Sequence, residues 1–424
     1  MSLVEIVKQE DFAAGACRSA VSSEKTQKLV SDILSRVQRE GDRAVRELTQ
    51  EYDKVFLKRF RVPQKAVGEA EAAIDSRTKS ILTEAIGNVR KFHREQIQKS
   101  WIKTEKDGTR LGEIVTPLDR VGMYVPGGSA FYPSTLIMNA VPALLAEVPS
   151  IAVASPPGGD GLPHRLVLGI CSMLGIEEVY AIGGAQAVAA LAHGTESIRP
   201  VCKITGPGNR FVTEAKRQVF GSVGIDSTAG PSEILILHDD PHVPPDFLAR
   251  DMISQAEHDK EATAILITTL PETAHAVRKR LDEIVPTLPR GETIAASLKN
   301  NGKIVIADRI DNGIELSNEI APEHLELMIV DESKIERIKN AGAIFIGPWS
   351  PEPVGDYMAG PNHTIPTSGA ARFSSPLSVR DFQKHSSLIH YTKERLTAQG
   401  RDIAGFAEME KLYGHAAAIR ERLL

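Results

Sequence analysis

The 424-residue sequence has little cysteine, few aromatics and no large excess of either charge. Its three cysteines, Cys17, Cys171 and Cys202, are widely spaced, odd in number and without a CxxC pair. That argues against a disulfide framework and fits a reducing compartment, so the cytoplasm is expected. Cys171 lies in the apolar run Leu166-Val-Leu-Gly-Ile-Cys-Ser-Met-Leu and reads as a buried helix face rather than a catalytic thiol. The net charge of −5, from 50 basic and 55 acidic residues, leaves no electrostatic footprint for nucleic acid or anionic lipid. No long apolar run is present either. The most apolar window, Asn139 to Pro156, is broken by Glu147 and several prolines and cannot span a bilayer. The N-terminus has early acidic residues and no apolar h-region, so a signal peptide is not expected.

What is present is the composition of a globular α/β chain. Aromatics at 5% beside abundant Ala, Ile, Val and Leu suit packed βα units, and the length calls for about two domains. Residues 24–52 and roughly 63–98 have helical apolar spacing, with Leu29, Ile33, Val37, Val45 and Leu48 on one face. From Thr109 the rhythm changes. Short β-branched runs alternate with helical stretches: Val121–Val125, Ser150–Ala154, Val179–Ile182, Val201–Thr205, Glu233–Leu237, Thr263–Thr268, Lys303–Ala307, Leu325–Val330 and Ala343–Ile346. Alternation of this kind predicts parallel sheets with crossover helices. The expected architecture is two doubly wound, Rossmann-like modules with an N-terminal helical segment and a C-terminal helical arm. The boundaries are an extension over 1–22, one module from 23–119 with 233–376, a second over 120–232, and the arm over 377–424. Residues 404–424 are too few to form a core of their own and must dock on something.

Three loops follow expected strands and combine glycine with a polar residue: Tyr124-Val-Pro-Gly-Gly, Gly183-Gly-Ala-Gln186 and Gly206-Pro-Gly-Asn209. Glycine lets a backbone approach a ligand, and a following helix N-terminus favours phosphate. None is a GxGxxG with an acidic residue about 20 positions on. Each alone is an ordinary βα turn; three in one module point to a nucleotide or substrate crevice.

HExxH is also missing, yet potential metal and acid-base groups recur. Gln255 and His258, in Ser254-Gln-Ala-Glu-His, are three apart on one helix face; the plain alternative is a polar helix end capped by its own side chains. Glu323 and His324 adjoin at a strand entrance, as an acid-base pair or a surface ion pair. Asp356 and His363 flank a glycine turn, and Glu410 and His415 lie on the arm. Such His, Asp and Gln side chains could form a tetrahedral N/O zinc site.

Taken together, Val121-Gly-Met-Tyr-Val-Pro-Gly-Gly, Gly183-Gly-Ala-Gln-Ala, Gly206-Pro-Gly-Asn, Ala229-Gly-Pro-Ser-Glu, Ser254-Gln-Ala-Glu-His, Ala321-Pro-Glu-His-Leu, Glu352-Pro-Val-Gly-Asp-Tyr and Gly360-Pro-Asn-His resemble, in order and separation, the histidinol dehydrogenase family over roughly residues 20–420. The resemblance implies oxidation of L-histidinol to L-histidine through the aldehyde with two NAD+, the last steps of histidine biosynthesis. It implies one zinc per chain on Gln255, His258, Asp356 and His415. The same four residues, with Ser232, His324, His363 and Glu410, would contact substrate. Tyr124, Gln186 and Asn209 would lie near NAD, making 120–232 the NAD-side module, and Glu323 and His324 would be the acid-base pair. It also implies a homodimer in which the arm completes the partner's site. The arm departs from the family in reading Glu410-Lys-Leu-Tyr-Gly-His415 where a Gly-Leu pair is expected, but the spacing of its two site residues is kept. Relatives that oxidise other small alcohols, including sulfonated diols, are the alternative. From the residues alone, a zinc hydrolase or a ligand-binding protein with structural metal would compete.

Overall fold

The computed structural model describes residues 2–12, 23–127, 132–227 and 230–424; Cys17 lies outside them. Two compact units are formed, Met1–Gln96 with Leu118–Phe382, and Ile97–Pro117 with Gln383–Leu424.

The larger unit contains two wholly parallel sheets. The five-stranded sheet runs, in spatial order, Glu178–Ala181, Ile151–Ser155, Val121–Tyr124, Lys203–Thr205 and Gly224–Ile225. The six-stranded sheet runs Glu5–Lys8, Lys303–Ile306, Thr263–Thr268, Glu233–His238, His324–Met328 and Ala343–Ile346. In both, an early strand sits inside the sheet, the next two extend it one way and the following two the other, which is doubly wound order. Glu233–His238 is buried at all six positions, as a parallel strand covered on both faces must be.

Three sequence boundaries need correction. Residues 5–8, expected in an extension, form the edge strand beside Lys303–Ile306. The helices Glu24–Glu40, Asp42–Tyr52, Gln64–Ala72 and Ser76–Arg94 were grouped with residues 233–376, but they belong with the five-stranded sheet. Val30, Val37, Val45, Val67 and Val89 share one core with Val121, Val153, Val188 and Val212. The reason lies in that sheet's own helices. Gly184–His193 buries every residue from Ala185 to Leu191, and Pro133–Leu145 buries Thr135 through Ala143. Helices apolar on all sides need a second layer outside them, and the N-terminal helices supply it. The six-stranded sheet needs none. Leu248, Val277 and Leu298 cover one face, and Ile314, Leu316 and Ile320 the other.

The third correction concerns residues 377–424, expected as a helical arm. Gln383–His390 is a strand, antiparallel to Arg110–Pro117, which also pairs with Trp101–Thr104. These three strands and the helices Lys393–Met409 and Tyr413–Arg420 make up the smaller unit. Its two helices bury only Gly400, Ala404 and Ala416, and leave Phe406, Met409 and Tyr413 exposed. Among the described residues no helix is long and apolar enough to cross a membrane. Cys171 is fully buried on the helix Arg165–Met173, as its apolar surroundings imply.

A buried ion pair fixes the third glycine loop. Gly206 has φ +108, and a Cβ there would run into the Tyr124 carbonyl oxygen. Asp226 accepts its N–H at 2.7 Å, Lys216 donates to its carbonyl at 2.9 Å, and Lys216 and Asp226 pair with both side chains almost wholly buried. Removing one partner strands the other charge. Lys216→Met should therefore lower unfolding free energy by about 3–5 kcal/mol, with partial recovery in Lys216→Met/Asp226→Leu. Urea titration of these three chains measures this, and a Lys216→Met variant within about 1 kcal/mol of wild type would remove the pair as a constraint.

Candidate active site

The strands Glu233–His238 and His324–Met328 lie side by side, with His324 in register with Ile234. Both are entered from turns. The helix Ile310–Ile320 ends at Ala321, which has φ +55, and Pro322 cannot continue it, so Glu323 and His324 follow at the sheet's amino edge. Glu323 Oε2 accepts the Glu233 N–H at 2.7 Å, and His324 Nδ1 lies 2.9 Å from the Glu233 carbonyl oxygen. A carbonyl only accepts, so Nδ1 carries the proton. Burial pushes the His324 pKa down to about 4. The neutral ring therefore presents an unprotonated Nε2, which lies 3.9 Å from Glu352 Oε1. Burial, joined by the charges of Glu233, Asp356 and Glu352, pushes Glu323 well above the carboxylate range.

Glu352 and Asp356 are one turn apart on the short helix Glu352–Tyr357. Burial, then Asp356, raises Glu352 to about 9. Burial opposes ionisation of Asp356 as well, but His363, 3.6 Å away, and His324 outweigh it and hold this carboxyl below its usual value. The start of the helix is anchored, because the Glu352 N–H donates to Glu326 Oε1 at 2.8 Å. Glu326 is fully buried within its strand and interacts with Asp251 on the helix Pro245–Ala256.

Gln255 sits on the same helix, wholly buried, and neither atom of its amide has a hydrogen-bond partner. A self-capped helix end would have used them. His258, just past that helix, is lowered by burial and raised by Asp356. Six carboxyl groups, Glu233, Asp251, Glu323, Glu326, Glu352 and Asp356, gather here, and among the described residues no lysine or arginine pairs with any of them. Buried charge of this kind needs protons or a cation. His324, Glu352 and Asp356 offer ligand atoms within 4.8 Å of one another. An orphaned amide oxygen, an imidazole and a carboxylate from Gln255, His258 and Asp356 also suit a divalent ion such as zinc. Asp356 is common to both sets.

Ser232 and His363 are half-buried beside these groups. Glu410 and His415 belong to the smaller unit and are exposed, Glu410 closing the helix Lys393–Met409. The glycine-loop residues lie at the carboxyl edge of the five-stranded sheet. Tyr124 accepts the Gly184 N–H on its hydroxyl at 3.2 Å. Asn209 caps the helix Arg210–Val219 through the N–H groups of Phe211 and Val212. Gln186 donates to Asp53 at 3.4 Å. Sequence reasoning missed Glu233, Asp251, Glu326, Glu352 and Asp53. Only Glu326 left a clear signal, as an acid inside the apolar run His324-Leu-Glu-Leu-Met.

The sequence model of the histidinol dehydrogenase family matches residues 16–423. The chain is 48% identical over 402 residues to the histidinol dehydrogenase of Geobacillus kaustophilus, covering 95% of each. It is 47% identical over 401 residues to that of Bacillus subtilis, covering 94% of each. The crystal structure of histidinol dehydrogenase from Elizabethkingia anophelis superposes with a TM-score of 0.94 at 33% identity, covering 100% of this chain and 98% of that one. The chain belongs to the histidinol dehydrogenase family of oxidoreductases.

Proposed function

We propose that the chain oxidises L-histidinol to L-histidine by way of L-histidinal, as a cytoplasmic, zinc-dependent homodimer using NAD. The observation that carries this reading is the pairing of a neutral His324, with Nε2 free to take a proton, and a buried Glu323 beside it. Gln255, His258 and Asp356 would hold zinc, with His415 of the partner subunit as fourth ligand. When bound, zinc would supply a fixed charge that orients the substrate's nitrogens, and NAD would accept hydride. His324 Nε2 takes the carbinol proton in the first oxidation and the hydrate proton in the second. Glu323 removes a proton from the water that adds to the aldehyde. A general base works best with its pKa near the operating pH, and burial moves Glu323 that way from the ordinary carboxylate value. Ser232, His363 and the partner subunit's Glu410 complete the substrate contacts, and Tyr124, Gln186 and Asn209 border the NAD crevice.

Activity should require about one zinc per chain. Stripping the metal with a chelator should abolish turnover and zinc should restore it; full turnover from protein shown metal-free by mass spectrometry would end the zinc assignment.

The roles of Glu323 and His324 separate by half-reaction. Glu323→Gln should slow aldehyde oxidation by about 10²–10⁴-fold and alcohol oxidation far less, since only the former needs water activated. Single-turnover assays started from histidinol and from histidinal decide this. Equal losses would reduce Glu323 to a prop for its neighbour.

Site sharing between protomers is testable by complementation. His258→Ala and His415→Ala homodimers should each be inactive. If the two ligands come from different chains, a mixed dimer has one intact site. Random pairing makes about half the dimers mixed, so activity should return to roughly a quarter of wild type. No recovery, with mixed dimers demonstrated by mass, would show that each chain supplies all its own ligands.

A further inference from the structure

In a doubly wound crevice the ribose of a dinucleotide is ordinarily held by an acidic residue about 20 positions beyond the glycine turn. This chain has none in that place. The strand beside Val121–Tyr124 ends Ala154-Ser155-Pro156 without a carboxylate, and Asp160, five residues past Ser155 in the loop that follows, accepts the Leu162 N–H of its own turn. Glu147, at about the usual separation, sits in the turn before that strand, at the opposite edge.

The fold brings a carboxylate from the N-terminal helical layer instead. Asp53 closes the helix Asp42–Tyr52, and Lys54 immediately after it has φ +60, so the chain turns away at that point. Asp53 Oδ2 lies 3.4 Å from Gln186 Nε2. Gln186 is almost wholly buried in the first turn of the helix that follows Gly183. Gly184 has φ +63, and a Cβ there would come within 2.6 Å of Gln186 Oε1, so glycine leaves that side chain in reach of Asp53. The Gly184 N–H donates in turn to the Tyr124 hydroxyl. Tyr124 also feels the acid: after burial, the Asp53 charge helps to push its hydroxyl up to about 12. One helix end, two glycine loops and one carboxylate thus converge at the carboxyl edge of the five-stranded sheet.

Asp53 itself is half-buried, and burial raises its pKa to about 6. Among the described residues no lysine or arginine pairs with it, and its hydrogen bond from Gln186 is long. A carboxylate accepts up to about four hydrogen bonds, so Asp53 has capacity for hydroxyl donors at the mouth of the crevice.

We propose that Asp53 accepts hydrogen bonds from the adenosine ribose hydroxyls of the dinucleotide, and so selects NAD over its 2′-phosphorylated form. The assignment rests on the reading of this crevice as the NAD site. A 2′-phosphate would take away a hydroxyl donor and set a dianion against the carboxylate.

The test is direct titration of the purified dimer with NAD and with NADP by calorimetry, where the dissociation constants should move as the KM values do, together with steady-state kinetics of the zinc-loaded dimer with both. Asp53→Asn is isosteric and can still accept from Gln186, and Asp53→Ala serves as a second variant; thermal unfolding checks that both are folded. Each should raise the KM for NAD by about tenfold or more, the scale of a lost hydrogen bond to a charged group. Neither should shift the KM for histidinol, and both should raise the NADP-to-NAD ratio of kcat/KM by about tenfold. Asp53→Glu should keep the preference for NAD. Asn209→Ala is the reference, expected to weaken NAD without changing that ratio. If wild type does not saturate with NAD, the crevice assignment fails, and this proposal with it. If Asn209→Ala weakens NAD while the Asp53 variants leave the ratio unchanged, whether or not their KM for NAD rises, the proposal alone is overturned.

Discussion

Between Glu233–His238 and His324–Met328 the parallel ladder does not stop where the backbone pairing ends. It continues through side chains: the Glu323 carboxylate takes the Glu233 N–H, and the His324 ring meets the Glu233 carbonyl. The candidate acid-base pair is thereby attached to the two peptide groups that flank Glu233, in a strand buried on both faces. Ring orientation, tautomer and carboxylate position follow from sheet register rather than from a mobile loop. Groups held this way pay little to be positioned when a substrate arrives. The Glu233 side chain is tied down as well, accepting the Ser368 N–H at 3.0 Å, and Thr367 accepts the Gly230 N–H nearby. The segment around 360–370 thus closes over the strand entrances.

Electrostatics gives that geometry its chemical direction. Burial acts on every group, but with opposite sign for the imidazole and the carboxyls, lowering His324 and raising Glu323, Glu233 and Glu352. Asp356 departs from the other acids because two histidines face it. It is the carboxyl best prepared to stay ionised, as a metal ligand must be. Behind it, Glu326 and Asp251 hold the helix start through the Glu352 N–H and contribute no charge partner of their own.

Much of the fold was legible because parallel strands leave continuous apolar runs, and the main strands lie where those runs fall. The run Ile234–Leu237, inside a strand buried throughout, is the clearest case. Layer assignment was not legible. Nothing in the amphipathic spacing of residues 24–94 says which sheet their apolar face covers; that is decided by how apolar the inner helices are on their outer sides. The antiparallel strand Gln383–His390 was hidden for another reason, since its partner Arg110–Pro117 lies about 270 residues earlier and the strand itself is largely polar. At the candidate site, residues in compact motifs such as Ala321-Pro-Glu-His could be singled out. Those whose meaning depends on a distant neighbour could not: Asp53 acquires a role only beside Gln186, and Asp251 only beside Glu326.

The two sheets present their candidate site residues at opposite edges. The five-stranded sheet presents glycine loops at its carboxyl edge, where helix N-termini and close backbone approach favour a nucleotide. The six-stranded sheet uses its amino edge, where Glu233, Glu323 and His324 enter their strands. Asn362 shows how the two are joined within the larger unit. Adjacent to His363, it donates to the carbonyl of Met138, on the helix that follows the first glycine loop, at 2.6 Å. Gly360, with φ +105, passes so close to the Asn88 carbonyl that a Cβ would lie 2.7 Å from it, and Asn88 donates to the Met358 carbonyl at 2.9 Å. The stretch bearing Asp356 and His363 is therefore fastened on both sides to helices of the five-stranded sheet. Hydride transfer needs donor and acceptor held within near-contact distance, and these hydrogen bonds from asparagine side chains to backbone carbonyls help tie the edge bearing Glu323 and His324 to the glycine-loop edge of the other sheet.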